Sequence, residues 1–168
     1  MIPVTRNAIL SPSKDVSIGA IPFGSVLAFD FGTKRIGVAI GNTAVCAAQP
    51  LETIDTEVTE HRFARIAQLI ETWQPVLLVV GLPLHSNGTA HELTQLCQRF
   101  ARRLTGRFGV KVILQDERYS SETAAIALRE SGIAGRKQKS ILDQIAAQQI
   151  LQSFFDEQNA TTRRGSSL

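Results

Sequence analysis

Three carboxylates in this sequence stand at positions that folding would bury. Asp30 interrupts an apolar run, Glu117 follows an aliphatic run, and Asp143 lies within the apolar segment 141–147. Because desolvating an unpaired carboxylate is costly, each of them needs a compensating partner. A shared divalent cation would serve all three, and carboxylates gathered on hard metal ions commonly cleave phosphodiesters. The three positions therefore predict a metal-dependent hydrolytic site.

Asp143 is the most informative of the three acids. Helical spacing places it on the same stripe as Ala147, Ile150 and Phe154, the stripe that would pack against the rest of the protein. One alternative is that its carboxylate interacts with the positive end of the helix dipole or pairs with Lys139.

The other two acids also have ordinary explanations. Asp30 could cap the turn that follows it by accepting hydrogen bonds from the amides of Gly32 and Thr33. Glu117 could be a surface acid paired with Arg118. The predicted topology brings the strand and helix ends that carry the three acids to one edge of the sheet. A metal site is favoured because, without it, a separate ordinary explanation would have to hold for each acid at that edge.

The spacing of apolar residues predicts an α/β protein with a mixed central sheet flanked by helices. A hairpin comes first, with strands at 26–31 and 35–40. The later elements are an extended piece at 48–53, a helix at 59–73, a strand at 76–80, a helix at 89–104, a strand at 110–114, a helix at 121–129, a basic loop at 131–139 and a helix at 140–157. Functional groups in such sheets gather at the carboxyl ends of the strands.

The length of 168 residues favours a single domain. We expect a flexible extension at 1–24, a folded domain at 25–158 and a disordered polar tail at 159–168. The longest aliphatic run, 76–80, is far shorter than the roughly 20 residues that span a membrane, so we expect no membrane association. Cys46 and Cys97 lack the spacing of a zinc site or a disulfide framework, which favours reduced thiols in the cytoplasm.

Positive charge is concentrated in two places although the net charge is only +3. One group has no intervening acid and contains Arg99, Arg102, Arg103, Arg107 and Lys111. The other precedes Asp143 and contains Arg136, Lys137 and Lys139. Such groups attract polyanions, most often nucleic acid, although a solvated helix face would explain them equally well.

Four ordered motifs resemble the YqgF family over about 25–155. They are Asp30-Phe31-Gly32-Thr33-Lys34-Arg35-Ile36-Gly37-Val38-Ala39, Gly81-Leu82-Pro83 with Asn87-Gly88-Thr89, Asp116-Glu117-Arg118-Tyr119-Ser120-Ser121, and Leu142-Asp143-Gln144-Ile145-Ala146-Ala147. Members of this family are bacterial RNase H-like proteins described as pre-16S ribosomal RNA nucleases or as Holliday junction resolvase-like proteins.

The resemblance implies an RNase H-like fold and a nuclease with Mg²⁺ or Mn²⁺ as cofactor. It places the catalytic acids and metal ligands on Asp30, Glu117 and Asp143. We expect phosphate contacts from the residues nearest these acids, Thr33, Lys34, Arg35 and Arg118. Contacts to the rest of the nucleic-acid backbone are expected from the basic groups, at Arg102, Arg103, Arg107, Arg136, Lys137 and Lys139.

The substrate implied by the resemblance is the precursor of 16S ribosomal RNA, processed at its 5′ end, either free or within a pre-ribosomal particle. The alternative substrate is a branched DNA junction, whose cleavage requires a symmetric homodimer, whereas RNA trimming needs only a monomer. Two rivals come from other classes. One is an actin- or sugar-kinase-like ATP-binding protein, which 168 residues are too few to complete; the other is a catalytically inert RNA-binding module.

Overall fold

The computed structural model of the protein describes residues 21–83, 92–117 and 135–165. These residues form five strands and three helices. The strands are β1 (Ser25–Phe31), β2 (Ile36–Asn42), β3 (Ala47–Ile54), β4 (Leu77–Leu82) and β5 (Val112–Asp116). The helices are α1 (Thr59–Trp73), α2 (Glu92–Phe108) and α3 (Arg136–Gly165). The predicted helix at 121–129 lies outside the described residues, as does most of the predicted extension at 1–24.

The strands form one mixed sheet in the order β3-β2-β1-β4-β5. The β1–β2 hairpin and the β2–β3 pair are antiparallel, whereas β1, β4 and β5 run parallel to one another. Strand β4 is almost wholly buried, as its continuous aliphatic sequence predicts for a strand covered on both faces. Because β1, β4 and β5 are parallel, their carboxyl ends meet at one edge, which we call the carboxyl edge.

Helices cover both faces of the sheet. Helices α1 and α2 pack on one face through residues that include Phe63, Ile66, Phe100 and Leu104. Helix α3 packs on the other face, where its buried residues are Ala147, Ile150, Leu151, Phe154 and Phe155. The predicted fold class, a single α/β domain with a mixed sheet between helices, is therefore confirmed.

All three helices begin near the carboxyl edge. Helix α1 follows β3, whose last residue, Ile54, pairs with Ile36 at the start of β2. Near the start of α2, the Thr94 hydroxyl donates a hydrogen bond to the carbonyl of Pro83, just beyond β4. In α3, Ser140 accepts a hydrogen bond from Thr53. The positive ends of the three helix dipoles therefore lie toward this edge.

The boundaries of the elements differ from prediction mainly in α3. The segment 136–139, expected in a basic loop, forms the first turn of this helix after Gly135, whose φ is 78°. Lysine and arginine are good helix formers, and a helix anchored by packing extends at little cost per residue. For the same reason α3 continues to Gly165, into the segment 159–168 that was expected to be disordered.

Among the described helices, none is both long and apolar enough to cross a bilayer.

Candidate active site

Asp30 lies on the central strand β1, near the carboxyl edge, and directly opposite Gly37 of β2. Side chains alternate along a strand, so Asp30 shares the face of Val26 and Ala28, which is the face covered by α3. The neighbouring Phe31 belongs to the opposite face, against α1 and α2. Asp30 is therefore placed between the sheet and α3.

Gly37 allows α3 to approach Asp30 closely. A β-carbon at Gly37 would stand 1.9 Å from the carbonyl oxygen of Asp143, a distance that no side chain could occupy. The backbone of α3 therefore rests directly on β2 at the position opposite Asp30. This contact places Asp143 beside Asp30, although 113 positions separate Asp30 from Asp143 in the sequence.

Gly81 makes room for Glu117 on the other side of Asp30. A β-carbon at Gly81 would lie 2.9 Å from Oε2 of Glu117 and 2.4 Å from Cδ1 of Ile150. The backbone amide of Glu117 also donates a hydrogen bond of 3.3 Å to the carbonyl of Leu82. Two glycines on the strands that flank β1 thus open the space that the second and third acids occupy.

The carboxyls of Asp30 and Glu117 are hydrogen-bonded to each other. Burial and the nearby charge of Asp143 raise the pKa of Asp30 to about 7, although its hydrogen bond with Glu117 acts in the opposite direction. Burial, repulsion from Asp30 and the hydrogen bond to Asp30 raise the pKa of Glu117 to about 8. Two close carboxylates cannot both ionise cheaply, so the pair shares a proton near neutral pH.

Asp143 has a cation as its direct partner. Its Oδ2 accepts a hydrogen bond from Nε of Arg35 at 2.7 Å, and the two side chains are 21% and 25% exposed. The alternative that Asp143 pairs with a basic residue is therefore correct, but that residue is Arg35, just before β2, rather than Lys139. Asp143 is also close enough to raise the pKa of Asp30 by charge repulsion.

Carboxylate oxygens suit a hard divalent cation, but Asp30, Glu117 and Asp143 do not surround a single point. Among the described residues, no three His, Cys, Asp or Glu side chains are arranged to hold a single metal ion. Asp143 is instead paired with Arg35. The Asp30–Glu117 pair nevertheless supplies oxygen ligands whose mutual repulsion a cation would relieve.

The expected phosphate-binding residues have different surroundings. Thr33 and Lys34 are exposed in the turn between β1 and β2, Lys137 and Lys139 are exposed in the first turn of α3, and Arg102 and Arg103 are exposed on α2. Arg107 is engaged by Glu60 at 3.4 Å and lies over the ring of Phe63. Arg118 and the side chain of Arg136 lie outside the described residues.

Sequence reasoning missed Arg62, which supports the turn beside the acids. Arg62 is 6% exposed, and its guanidinium donates hydrogen bonds to the carbonyls of Thr56, Gly32 and Thr33 at 2.6, 2.9 and 3.0 Å. The available clue was its position at helical spacing with Ile66 and Leu69, on the buried stripe of α1. This is the same kind of evidence that singled out Asp143.

Replacing Arg62 with Met should destabilise the protein by about 2–4 kcal/mol, because three backbone carbonyls lose a charged donor. Arg65→Met is the matched control on the same helix. Arg65 is exposed and paired with Glu52 at 2.6 Å, so its loss should cost at most about 1 kcal/mol. Urea denaturation measures both values, and equal stability of the two variants would contradict the assigned support of the turn.

The acid pair also predicts how stability depends on pH in the presence of a chelator. The folded-state pKa values of Asp30 and Glu117 lie above the ordinary values of 3.8 and 4.5, so the folded state holds more protons than the unfolded state. The stabilisation is complete below the ordinary values and is lost as pH rises toward about 8. Each extra proton contributes a slope of about 1.4 kcal/mol per pH unit.

Compared with the double variant Asp30→Asn/Glu117→Gln, the wild-type protein should therefore become progressively less stable as pH rises. Chemical denaturation of both proteins across this range measures the difference, in which the contributions of all other groups cancel. Parallel stability curves would contradict the shared proton.

The mixed sheet and the packing of α3 against it define an RNase H-like fold. A family model described as "RuvX: Holliday junction resolvase" matches residues 24–157, and the chain belongs to this family. The RuvX family is the one that the YqgF resemblance indicated, so that prediction is confirmed.

The similar proteins carry a consistent name. A protein of Nitrosomonas eutropha named "Putative pre-16S rRNA nuclease" is 62% identical over 83% of this chain and 88% of its own length. A protein of Methylobacillus flagellatus with the same name is 64% identical over 79% of this chain and 91% of its own length. The solved structure of Thermus thermophilus RuvC superposes with a TM-score of 0.50 at 15% identity, covering 82% of this chain and 97% of that chain, which shows a shared fold.

Proposed function

We propose that this protein is a divalent-metal-dependent nuclease that processes the precursor of 16S ribosomal RNA in the cytoplasm. The observation that carries the proposal is the buried Asp30–Glu117 pair, which retains a proton beside a third acid, Asp143, at the carboxyl edge. Such a group is strained without a cation. The names of the similar proteins support phosphodiester hydrolysis in ribosomal RNA as its use.

In the proposed site, Asp30 and Glu117 would hold Mg²⁺ or Mn²⁺, and Asp143 would complete the ligand set. A bound ion of this kind stabilises negative charge on a phosphate and makes a bound water more acidic. Binding of such an ion would displace the proton that Asp30 and Glu117 share. Arg35 holds Asp143 by a 2.7 Å hydrogen bond, and it would be available to a substrate phosphate if Asp143 served the ion instead.

The charge around α3 supports an anionic substrate. Lys137 and Lys139 are exposed in the first turn of this helix, which contains no acid. Cations at that end oppose the helix dipole and cost roughly 0.3–1 kcal/mol each. A phosphate backbone across this end of α3 would offset that cost, together with contacts from Thr33 and Lys34 in the exposed turn.

Cleavage of branched DNA is the second candidate, supported by the description of the family model as a Holliday junction resolvase. The two candidates differ in assembly, because symmetric cutting of a four-way junction needs two sites related by a two-fold axis. A monomer would be sufficient for trimming RNA. Oligomeric state measured by light scattering therefore separates them independently of activity.

The substrate test offers purified protein a pre-16S RNA fragment and a synthetic four-way junction of equal concentration, each with Mg²⁺, Mn²⁺ or chelator. We expect metal-dependent shortening of the RNA at its 5′ end and no symmetric junction products. Preferential cutting of the junction by a dimer would favour the second candidate. Binding of the RNA with no cleavage of either substrate under any metal would overturn both and leave an RNA-binding module.

A further inference from the structure

A cavity of about 100 Å³ lies between α1 and α2, on the sheet face opposite α3. Three arginines and three phenylalanines dominate its lining: Arg62, Arg99, Arg103, Phe31, Phe63 and Phe100. Thr59, the first residue of α1, also lines it, so the cavity lies toward the carboxyl edge. We call it the arginine pocket.

The arginine pocket concentrates positive charge, and although Glu57 attracts Arg62 by its charge, the two form no described ion pair. None of the described residues that line it is acidic. Within the described part of the chain, Arg65 and Arg107 on the same two helices form ion pairs with Glu52 and Glu60, whereas the three pocket arginines form none. Converging guanidinium groups repel one another, and an anion between them would relieve the repulsion.

Arg62 is the almost fully buried cation of the arginine pocket. It is 6% exposed, and its described hydrogen bonds go to backbone carbonyls rather than to a carboxylate. Its positive charge is therefore not neutralised by the groups that hold it in place. The apolar rings around it lower the local dielectric, which increases the attraction for an anion.

The shape of the pocket selects a compact anion. A volume of about 100 Å³ is well below the roughly 300–1,000 Å³ of sites that enclose small organic molecules. The aromatic rings do not provide an open stacking surface: the guanidinium of Arg62 lies 5.4 Å from the centre of the Phe31 ring, and Phe31 and Phe100 pack at 4.9 Å. A phosphate group suits this space, whereas a stacked nucleobase does not.

We propose that the arginine pocket binds one backbone phosphate of the nucleic-acid substrate, on the opposite side of the sheet from the three acids. Arg99 and Arg103 would supply the exposed contacts, and Arg62 the buried charge. Arg62 also holds the carbonyls of Gly32 and Thr33, so the pocket is joined directly to the turn that follows Asp30. A strand that crosses the carboxyl edge would thus be held on both faces. This proposal rests on the proposed function in one respect, the identity of the ligand as a nucleic acid.

The test compares two variants that lose the same charge. Arg99→Gln/Arg103→Gln removes the exposed contacts of the pocket, whereas Arg65→Gln/Lys111→Gln removes two exposed cations that do not line it, since Arg65 pairs with Glu52 and Lys111 precedes β5 at the opposite edge. Binding of a fluorescein-labelled single-stranded RNA is measured by anisotropy with chelator present, over a series of salt concentrations. Circular dichroism and melting verify that both variants are folded.

The pocket variant should bind about tenfold more weakly than wild type, with the slope of log affinity against log salt reduced by about 0.7, as expected for one lost phosphate contact on a single strand. The control should lose much less affinity. Equal losses in the two variants would overturn the proposal and reduce the effect to general surface charge. Inorganic phosphate, added as a competitor, provides the second arm. If it binds wild type but not the pocket variant while RNA affinity is equal in both, the ligand is a free phosphate and the proposal is overturned.

Cleavage by the wild-type protein distinguishes this proposal from the proposed function. If RNA is cut normally but Arg99→Gln/Arg103→Gln binds it as tightly as wild type, the pocket proposal is wrong and the nuclease proposal stands. If the variant binds weakly but wild type never cuts, the pocket proposal stands and the nuclease proposal is wrong.

Discussion

Glu117→Gln is expected to abolish cleavage while raising the stability of the metal-free protein. Glutamine preserves the shape of the side chain but removes the negative charge, so the pair with Asp30 can no longer form a site for a divalent ion. The cleavage rate should fall by more than about a hundredfold. Loss of a residue that only supports a metal ligand typically costs up to about a hundredfold, so a larger loss indicates a direct ligand. Thermal melting in chelator at neutral pH should rise, since folding no longer has to bury a carboxyl that is ionised in the unfolded state.

Asp156→Asn is the control for a general loss of acidic charge. Asp156 is exposed on α3 and contacts Gln152, remote from the acid pair, so its replacement should leave both the rate and the melting temperature near those of wild type. Single-turnover kinetics and calorimetry measure the two quantities. Wild-type activity in Glu117→Gln would contradict a role for this carboxyl in the reaction.

Gly37→Ala is expected to disrupt the contact that brings Asp143 to Asp30. The added β-carbon would stand 1.9 Å from the carbonyl oxygen of Asp143, so α3 and β2 must separate. Overpacking of this kind typically costs about 1–3 kcal/mol, and here the atom that must move belongs to backbone rather than to a flexible side chain. Activity should fall as well, because Asp143 moves with the helix.

Gly106→Ala is the matched control. A β-carbon at Gly106 would meet nothing within 4 Å, and the residue lies within α2, where alanine is favoured over glycine by roughly 0.5–1 kcal/mol. The two substitutions should therefore change the free energy of unfolding in opposite directions. A Gly37→Ala protein that unfolds like wild type would show that the close approach of α3 is not a constraint.

The elements of the fold could largely be predicted from the sequence, because periodicity reports directly on burial. Helix α1 spans 59–73 as predicted, and the β1–β2 hairpin lies within two residues of its expected bounds. The end of α3 could not be predicted, since the polar composition of 159–165 resembles that of a disordered tail. Packing of the preceding turns against the sheet sustains the helix instead.

The acids of the candidate site could be predicted from the sequence, but the residues that face them could not. An acid in an apolar run is visible in the sequence, whereas the residue that faces it depends on register between distant segments. Asp143 lies 108 positions from Arg35, and Asp30 lies opposite Gly37 only because the hairpin fixes that pairing. The roles of Gly37 and Gly81 likewise became apparent only when α3 and Glu117 were seen to occupy the space that their missing side chains leave.

The proposed function requires the acids at the carboxyl edge to perform metal-dependent cleavage of RNA. It is tested most directly by single-turnover cleavage of labelled pre-16S RNA by wild-type protein and by Asp30→Asn, first in chelator and then with Mg²⁺ or Mn²⁺ added in excess. We expect product only from the wild-type protein and only after the metal is added. Cleavage at an unchanged rate in chelator, or by Asp30→Asn at the wild-type rate, would contradict the claim.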